Sequence, residues 1–261
     1  MAQFVISKER PCMNIDLQSR TALVADGDSE LGRVICQQLA QSGARVVCLV
    51  SSQDKAAINE SVFKNNEVEV VSLVANIQDF STCEGTIQDI EENIGVIDIV
   101  INNSDFEISG SFLESSHADW KKSTSINLDS VFNVCRLISE GMGERGFGRI
   151  INISSVYGRK GENGKSIYAA AKSGVHGFTM ALSQELARKG VTVNTISPGH
   201  IKQESTASVD EEKLKQVIGE IPAARLGEAD EVASLVGFLC SNQAGFITGN
   251  DIAVNGGQYI H

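Results

Sequence analysis

The sequence predicts an α/β fold, a doubly wound parallel seven-stranded sheet of Rossmann-like type, from three observations. Short β-branched runs alternate with longer amphipathic ones, the pattern produced when crossover helices connect parallel strands. Several of the short runs, RIINIS and DIVIN among them, are apolar almost throughout, as strands covered on both faces must be. None of Pro11, Pro198 and Pro222 interrupts a predicted central strand.

Residues 1–18 mix charge and polarity without a long apolar stretch, which predicts a short surface extension and neither a signal peptide nor a membrane span. The first strand follows over residues 21–25. Leu31, Val34, Ile35 and Leu39 then recur at helical spacing, and Gly43 falls where that helix should end. Further strands are predicted over 45–50, 68–75, 98–102, 149–154, 192–197 and 252–255. Residues 168–187, rich in strong helix formers, make a helix with an apolar stripe that Gly190 should close. With 42% hydrophobic residues, 261 residues can bury one large core, and residues 19–261 are expected to be a single domain.

A formal net charge of −11 opposes attraction to nucleic acid and to anionic membrane surfaces. The six cysteines form no C-x-x-C pair and stand mostly in apolar surroundings, which reads as a reducing, cytoplasmic setting. Four dispersed histidines give no support to a metal site.

The strongest chemical pattern is Tyr168-x-x-x-Lys172, which puts both side chains on one helix face one turn apart. Ser155 lies thirteen positions upstream, and Asn127 belongs to the helix before that strand. Such a set can equally persist as a buried polar network that holds a helix on a sheet.

Several stretches together resemble the short-chain dehydrogenase/reductase family, its 3-oxoacyl carrier-protein and acetoacetyl-CoA reductase branch above all. They are SINLDSVFNV, GRIINISSVYGRKGENGKSIYAAAKSGVHGFT, VTVNTISPGHI, IPAARLGEADEVASLVGFLCS and FITGNDIAVNGGQYI. The resemblance implies that Tyr168 exchanges a proton with a substrate oxygen, that Ser155 hydrogen-bonds that oxygen, and that Lys172 holds the nicotinamide ribose with help from Asn127. A tyrosine of ordinary pKa about 10 needs a nearby ammonium to become phenolate near neutrality, and Lys172 can supply it.

The family's dinucleotide motifs are damaged in this chain. Its T-G-x-x-x-G-x-G turn reads Ala25-Asp26-Gly27-Asp28-Ser29-Glu30-Leu31-Gly32, where only the last glycine, Gly32, keeps its place and Asp26 and Glu30 replace the others. A carboxylate roughly 5 Å from a phosphate costs on the order of 3 kcal/mol, less where exposed and screened. Asp28 or Ser29 can cap the helix that the pyrophosphate would otherwise meet. An EF-hand reading of Asp26, Asp28 and Glu30 fails, because the sixth and twelfth positions are Leu31 and Gln37. The end of the second strand offers neither an acid nor an arginine for the adenosine ribose. The family's adenine-side aspartate is Asn76, its N-N-A-G is Asn102-Asn103-Ser104-Asp105, and its nicotinamide threonine is Gln203.

Three functions of different class follow. The first is a subunit that binds no cofactor and performs no hydride transfer, in a hetero-oligomer, a tetramer by the family's habit, with an intact short-chain dehydrogenase that carries NAD(P). The second is an active NAD(P)-dependent 3-oxoacyl thioester reductase using Asn127, Ser155, Tyr168 and Lys172. The third is a protein that senses a small molecule in the old cleft. Arg159, Lys160 and Lys165 flank that cleft and suit a carboxylate or a CoA phosphate, although such a run is as readily a solvated loop. His200 stands at its lip, and the polar stretch 202–220 lies where the family has its substrate loop.

Overall fold

The computed structural model describes residues 15–204, 206 and 210–260. Seven parallel strands form one sheet in the order β3-β2-β1-β4-β5-β6-β7. They are β1 (Thr21–Ala25), β2 (Arg45–Val50), β3 (Val70–Val74), β4 (Ile99–Asn102), β5 (Gly148–Ile153), β6 (Val191–Pro198) and β7 (Asp251–Val254). Helices α1 (Glu30–Gln41), α2 (Gln53–Asn65), α3 (Phe80–Asn93), α4 (His117–Thr124), α5 (Ser130–Arg145), α6 (Tyr157–Lys160), α7 (Ser166–Leu186), α8 (Glu211–Gly219) and α9 (Ala229–Cys240) complete the described chain.

The predicted strands are all present, and β1 and β2 have the predicted bounds. The third is shorter at both ends than the predicted 68–75. It is an edge strand, and Val71 and Val74 on it are exposed. Pro198 closes β6, where a lost backbone donor matters least, and its carbonyl accepts from Val156.

Alternation along the strands divides the core into two layers. Val24, Cys48, Ile101, Ile151 and Ile196 face α1 and α9, while Leu23, Leu49, Val100, Ile150 and Val193 face α3, α5 and α7. Leu17 is buried in the first layer and Ile15 packs against it, so the surface extension expected over residues 1–18 already contributes to the core at its end. Residues 1–14 of it lie outside the described residues. The five described cysteines, Cys36, Cys48, Cys83, Cys135 and Cys240, are buried and free. Among the described residues no helix is long and apolar enough to cross a membrane, and no group of His, Cys, Asp and Glu is placed to hold a metal ion.

A polar network pins α7 against β6 and β7. Ser154 Oγ lies 3.0 Å from His176 Nε2, His176 Nδ1 lies 3.7 Å from Asp251 Oδ2, and Asp251 also accepts from Ser197 Oγ and pairs with Arg159. Burial pushes the His176 imidazole down to about 4, against the pull of Asp251. The folded state therefore keeps His176 neutral while the unfolded chain takes up a proton below about 6.5. Its stabilising contribution is complete above that pH and is lost as pH falls towards 4, on the order of 2 kcal/mol. Urea unfolding at pH 7.5 and 4.5 should show a smaller loss for His176→Gln than for the natural chain; equal losses would rule this source out.

Candidate active site

The strand order reverses direction between β1 and β4, and the crevice beyond their carboxyl ends is where a doubly wound sheet receives its ligand. The first turn of that crevice is built by close packing. A Cβ on Gly32 would lie 2.7 Å from Gly27 Cα and 2.9 Å from the Asp26 carbonyl, and one on Gly27 would meet Cys48 Sγ at 2.4 Å. Helix α1 can approach β1 only with glycine at position 32. Gly32→Ala should cost about 1–3 kcal/mol in chemical denaturation, because backbone rather than a flexible side chain must yield.

Four carboxylates line the turn and the end of β4, and Asp26 and Asp105 share Lys172 as a partner while Asp28 and Glu30 turn elsewhere. Asp26 has a left-handed backbone at φ +53°, a conformation that glycine takes without strain. Its carboxyl lies within electrostatic reach of Ser104 and Lys172. Burial raises its pKa, and Asp28 and Asp105 push it the same way against Ser104 and Lys172. Asp28 turns to the end of β2, where its Oδ2 accepts from Ser51 N at 3.2 Å and Ser51 Oγ at 2.7 Å. Glu30 reaches across the mouth of the crevice and accepts from Glu204 N at 2.7 Å. Ser29 caps α1 by accepting from Gly32 N, and Asn103 Nδ2 binds both Ser29 Oγ and the Asp26 carbonyl. Of the amides at the turn and the helix start, Gly27 N is met by the Leu49 carbonyl, Gly32 N by the Ser29 side chain and Arg33 N by the Ser29 carbonyl.

The fourth carboxylate, Asp105, occupies the centre. Tyr168 OH donates to Asp105 Oδ1 at 2.7 Å, and Lys172 Nζ lies 3.4 Å from the same oxygen while donating to the carbonyls of Ser104 at 2.7 Å and Ile153 at 3.2 Å. Tyr168 is 3% exposed and Lys172 1%, whereas the Asp105 side chain is 59% exposed. Burial and then the Asp105 charge hold the Tyr168 phenol far above its ordinary value, and the hydrogen bond it donates to Asp105 adds to this. Ser155, which lines the same cleft, opposes the shift without overcoming it. Phenolate formation near neutrality, the expectation drawn from Lys172, is therefore not what this geometry favours.

Asn127 lies in a π turn, Ser125–Asp129, between α4 and α5. Its carboxamide closes on the backbone of Phe106, accepting from N and donating to O, both at 2.9 Å. It thereby fixes the loop that carries Asp105.

A cleft of about 280 Å³ brings together Asn103, Asp105, Ser155, Tyr168 and Gln203. Asn76 is exposed and accepts from Gln78 N within its own turn, and Asn102 is buried in the sheet, donating to Asn152 Oδ1 at 2.8 Å. The three cations of the flanking loop are already paired, Arg159 with Asp251, Lys160 with Glu162 and Lys165 with Glu107. They do not converge on one anion.

Of the opposite wall of the cleft, the sequence pointed to His200 at the lip but not to its partner Tyr157. Tyr157 OH lies 3.0 Å from His200 Nε2, the rings meet edge to face, and Lys165 Nζ stands 4.2 Å over the Tyr157 ring. Burial raises Tyr157 to about 12 and lowers His200, so both are neutral near pH 7. The signal was Tyr157 two residues beyond Ser155, together with His200 after Pro198-Gly199.

Residues 25–258 match the family described as enoyl-(acyl carrier protein) reductase. An acetoacetyl-CoA reductase of Allochromatium vinosum is 40% identical over 245 residues, 93% of this chain and 100% of that protein. The chain is a short-chain dehydrogenase/reductase. That membership makes it an oxidoreductase by family. An acetoacetyl-CoA reductase of Cupriavidus necator is 39% identical, covering 94% of this chain and 100% of its own length, and a 3-oxoacyl-[acyl-carrier-protein] reductase of Vibrio harveyi is 35% identical with the same coverage. Among solved structures of short-chain dehydrogenases, a gluconate 5-dehydrogenase from Burkholderia cenocepacia, in complex with NADP and tartrate, superposes with a TM-score of 0.88 at 29% identity, covering 94% of this chain and 97% of that one.

Proposed function

We propose that this chain is the subunit that binds no cofactor and transfers no hydride in a hetero-oligomeric NAD(P)-dependent short-chain dehydrogenase, one acting on a 3-hydroxyacyl- or 3-oxoacyl-CoA-type substrate. The observation that carries the reading is Asp105, whose carboxylate takes up both Tyr168 OH and Lys172 Nζ. Those are the groups through which the family handles the substrate oxygen and the nicotinamide ribose. Asp26 and Glu30 add negative charge where a pyrophosphate would approach. NAD(P) then belongs to the partner, an intact homologue of the same family.

The acyl-CoA direction is supported by the relatives named acetoacetyl-CoA reductase. A candidate complex is 2-[hydroxy(phenyl)methyl]succinyl-CoA dehydrogenase, whose cofactor-less subunit this pattern of losses resembles. Association with a homologue is supported by a groove of about 420 Å³ between α5 and α7, where Phe132 is half-exposed beside Phe178 and Leu182 and Met180 stands half-exposed on α7. Buried free cysteines suit a cytoplasmic home.

An active 3-oxoacyl thioester reductase is the second reading. It is favoured by identities of 39–40% over nearly the whole chain and by the presence of Asn127, Ser155, Tyr168 and Lys172. Calorimetric titration of the isolated chain with NAD(H) and NADP(H) separates the two. The leading reading expects no measurable binding by this chain and binding by its complex with an intact homologue. Micromolar binding by the isolated chain would overturn it.

A further inference from the structure

We propose that the cleft is an acid–base site for redox-neutral proton exchange at C2 of a 3-oxoacyl thioester, with Asp105 as the base and Tyr168 and Ser155 as donors to the developing enolate oxygen. The inference rests on the cofactor-free reading, in which nothing displaces Asp105 from its place.

Abstraction of a proton α to a carbonyl asks for a carboxylate beside hydrogen-bond donors aimed at the oxygen that becomes negative. All three groups line the same cleft, and Asp105 Oδ1 is one hydrogen bond, 2.7 Å, from Tyr168 OH. The base is the most exposed of the set and the donor one of the most buried, so a substrate can reach the carboxylate while the phenol stays fixed. Asn127 holds the loop of Asp105 through both polar atoms of Phe106. Tyr168 stays protonated far above neutrality, which suits a donor and not a base.

A bound 3-oxo group takes the hydrogen bond that Tyr168 gives to Asp105 in the free chain, and Ser155 gives a second. The C2–H bond breaks and its proton passes to an oxygen of Asp105. The electron pair forms the C2=C3 bond as the carbonyl pair moves onto oxygen between the two hydroxyls. Return of a proton to C2 regenerates the ketone, and nothing is oxidised or reduced. Where C2 carries a substituent, Asp105 returns the proton to the face from which it was taken, so that centre exchanges its hydrogen and keeps its configuration. A dehydrogenase working on 2-substituted 3-hydroxyacyl thioesters generates such a ketone as its product.

The test uses the full chain without dinucleotide, in deuterium oxide, with 2-methyl-3-oxobutanoyl-CoA, following loss of the C2 proton by nuclear magnetic resonance. The natural chain should accelerate exchange roughly 10²-fold over buffer, and Asp105→Asn and Tyr168→Phe should each bring it back to near the buffer rate. Circular dichroism of both variants checks that they fold, and Ser155→Ala, with its smaller expected loss, supplies an independent variant. Exchange unchanged in Asp105→Asn, or no acceleration by the natural chain, overturns the proposal. Dinucleotide binding in the separate titration would overturn the cofactor-free reading instead, and the Asp105→Asn comparison would still decide the exchange chemistry.

Discussion

Replacing Asp26, Glu30 and Asp105 together by glycine should raise the affinity of this chain for NAD(H) or NADP(H) by at least about 10²-fold. At an effective dielectric of about 20, a carboxylate roughly 5 Å from a phosphate charge costs on the order of 3 kcal/mol, and solvent screening at a cleft mouth removes half or more of that. Even at roughly 1.4 kcal/mol each, two such charges amount to a factor of about 100. Glycine is also the residue that the backbone asks for at position 26, where φ is +53°. The third change removes the group that holds Tyr168 and Lys172. Thermal unfolding with and without dinucleotide reads the outcome, because a ligand that binds only the folded chain stabilises it in proportion to ln(1 + [L]/Kd). A triple variant that folds and shows no dinucleotide-dependent shift would mean that these carboxylates do not limit the affinity for dinucleotide.

The sheet was legible because its period was. Runs such as RVVCLV and RIINIS are covered on both faces, and both are strands. The end of β3 was not legible, because an edge strand with Val71 and Val74 exposed carries no buried run to mark where pairing stops. At the site, the four-residue spacing placed Tyr168 and Lys172 on one face, and the structure brings both to Asp105. What spacing could not supply was direction. Asp26, Asp28 and Glu30 alternate evenly along the chain, yet they turn to β4's end, β2's end and the segment after β6, because a left-handed residue and a helix start intervene. Asp105 entered the sequence analysis only as a glycine lost from N-N-A-G, although it governs the state of Tyr168. Tyr157 and His200 meet across 43 positions, a contact that no local pattern encodes.

Asp105→Ala should destabilise the fold by about 1–3 kcal/mol, the cost of leaving a buried cation without its counterion. Lys172 is 1% exposed, so its charge must be met inside the protein, and two carbonyls together with Asp105 and Asp26 meet it. The carbonyls supply dipoles only, which is why the loss should fall at the lower end of what breaking a buried pair costs. Lys172→Met made in the Asp105→Ala background should return part of that stability, and the double-mutant cycle should give a coupling on the order of 1 kcal/mol or more. Additive changes would mean that the pair contributes nothing and that Asp105 rests beside Lys172 by accident. A favourable coupling would show instead that the chain supplies from its own sequence an acceptor for Lys172, the group through which the family holds the nicotinamide ribose. In that case the proposed lack of dinucleotide binding and the retained Tyr168 and Lys172 would share one physical cause: the carboxylate that takes the place of a ligand at Lys172 also keeps the proton-transfer pair in place.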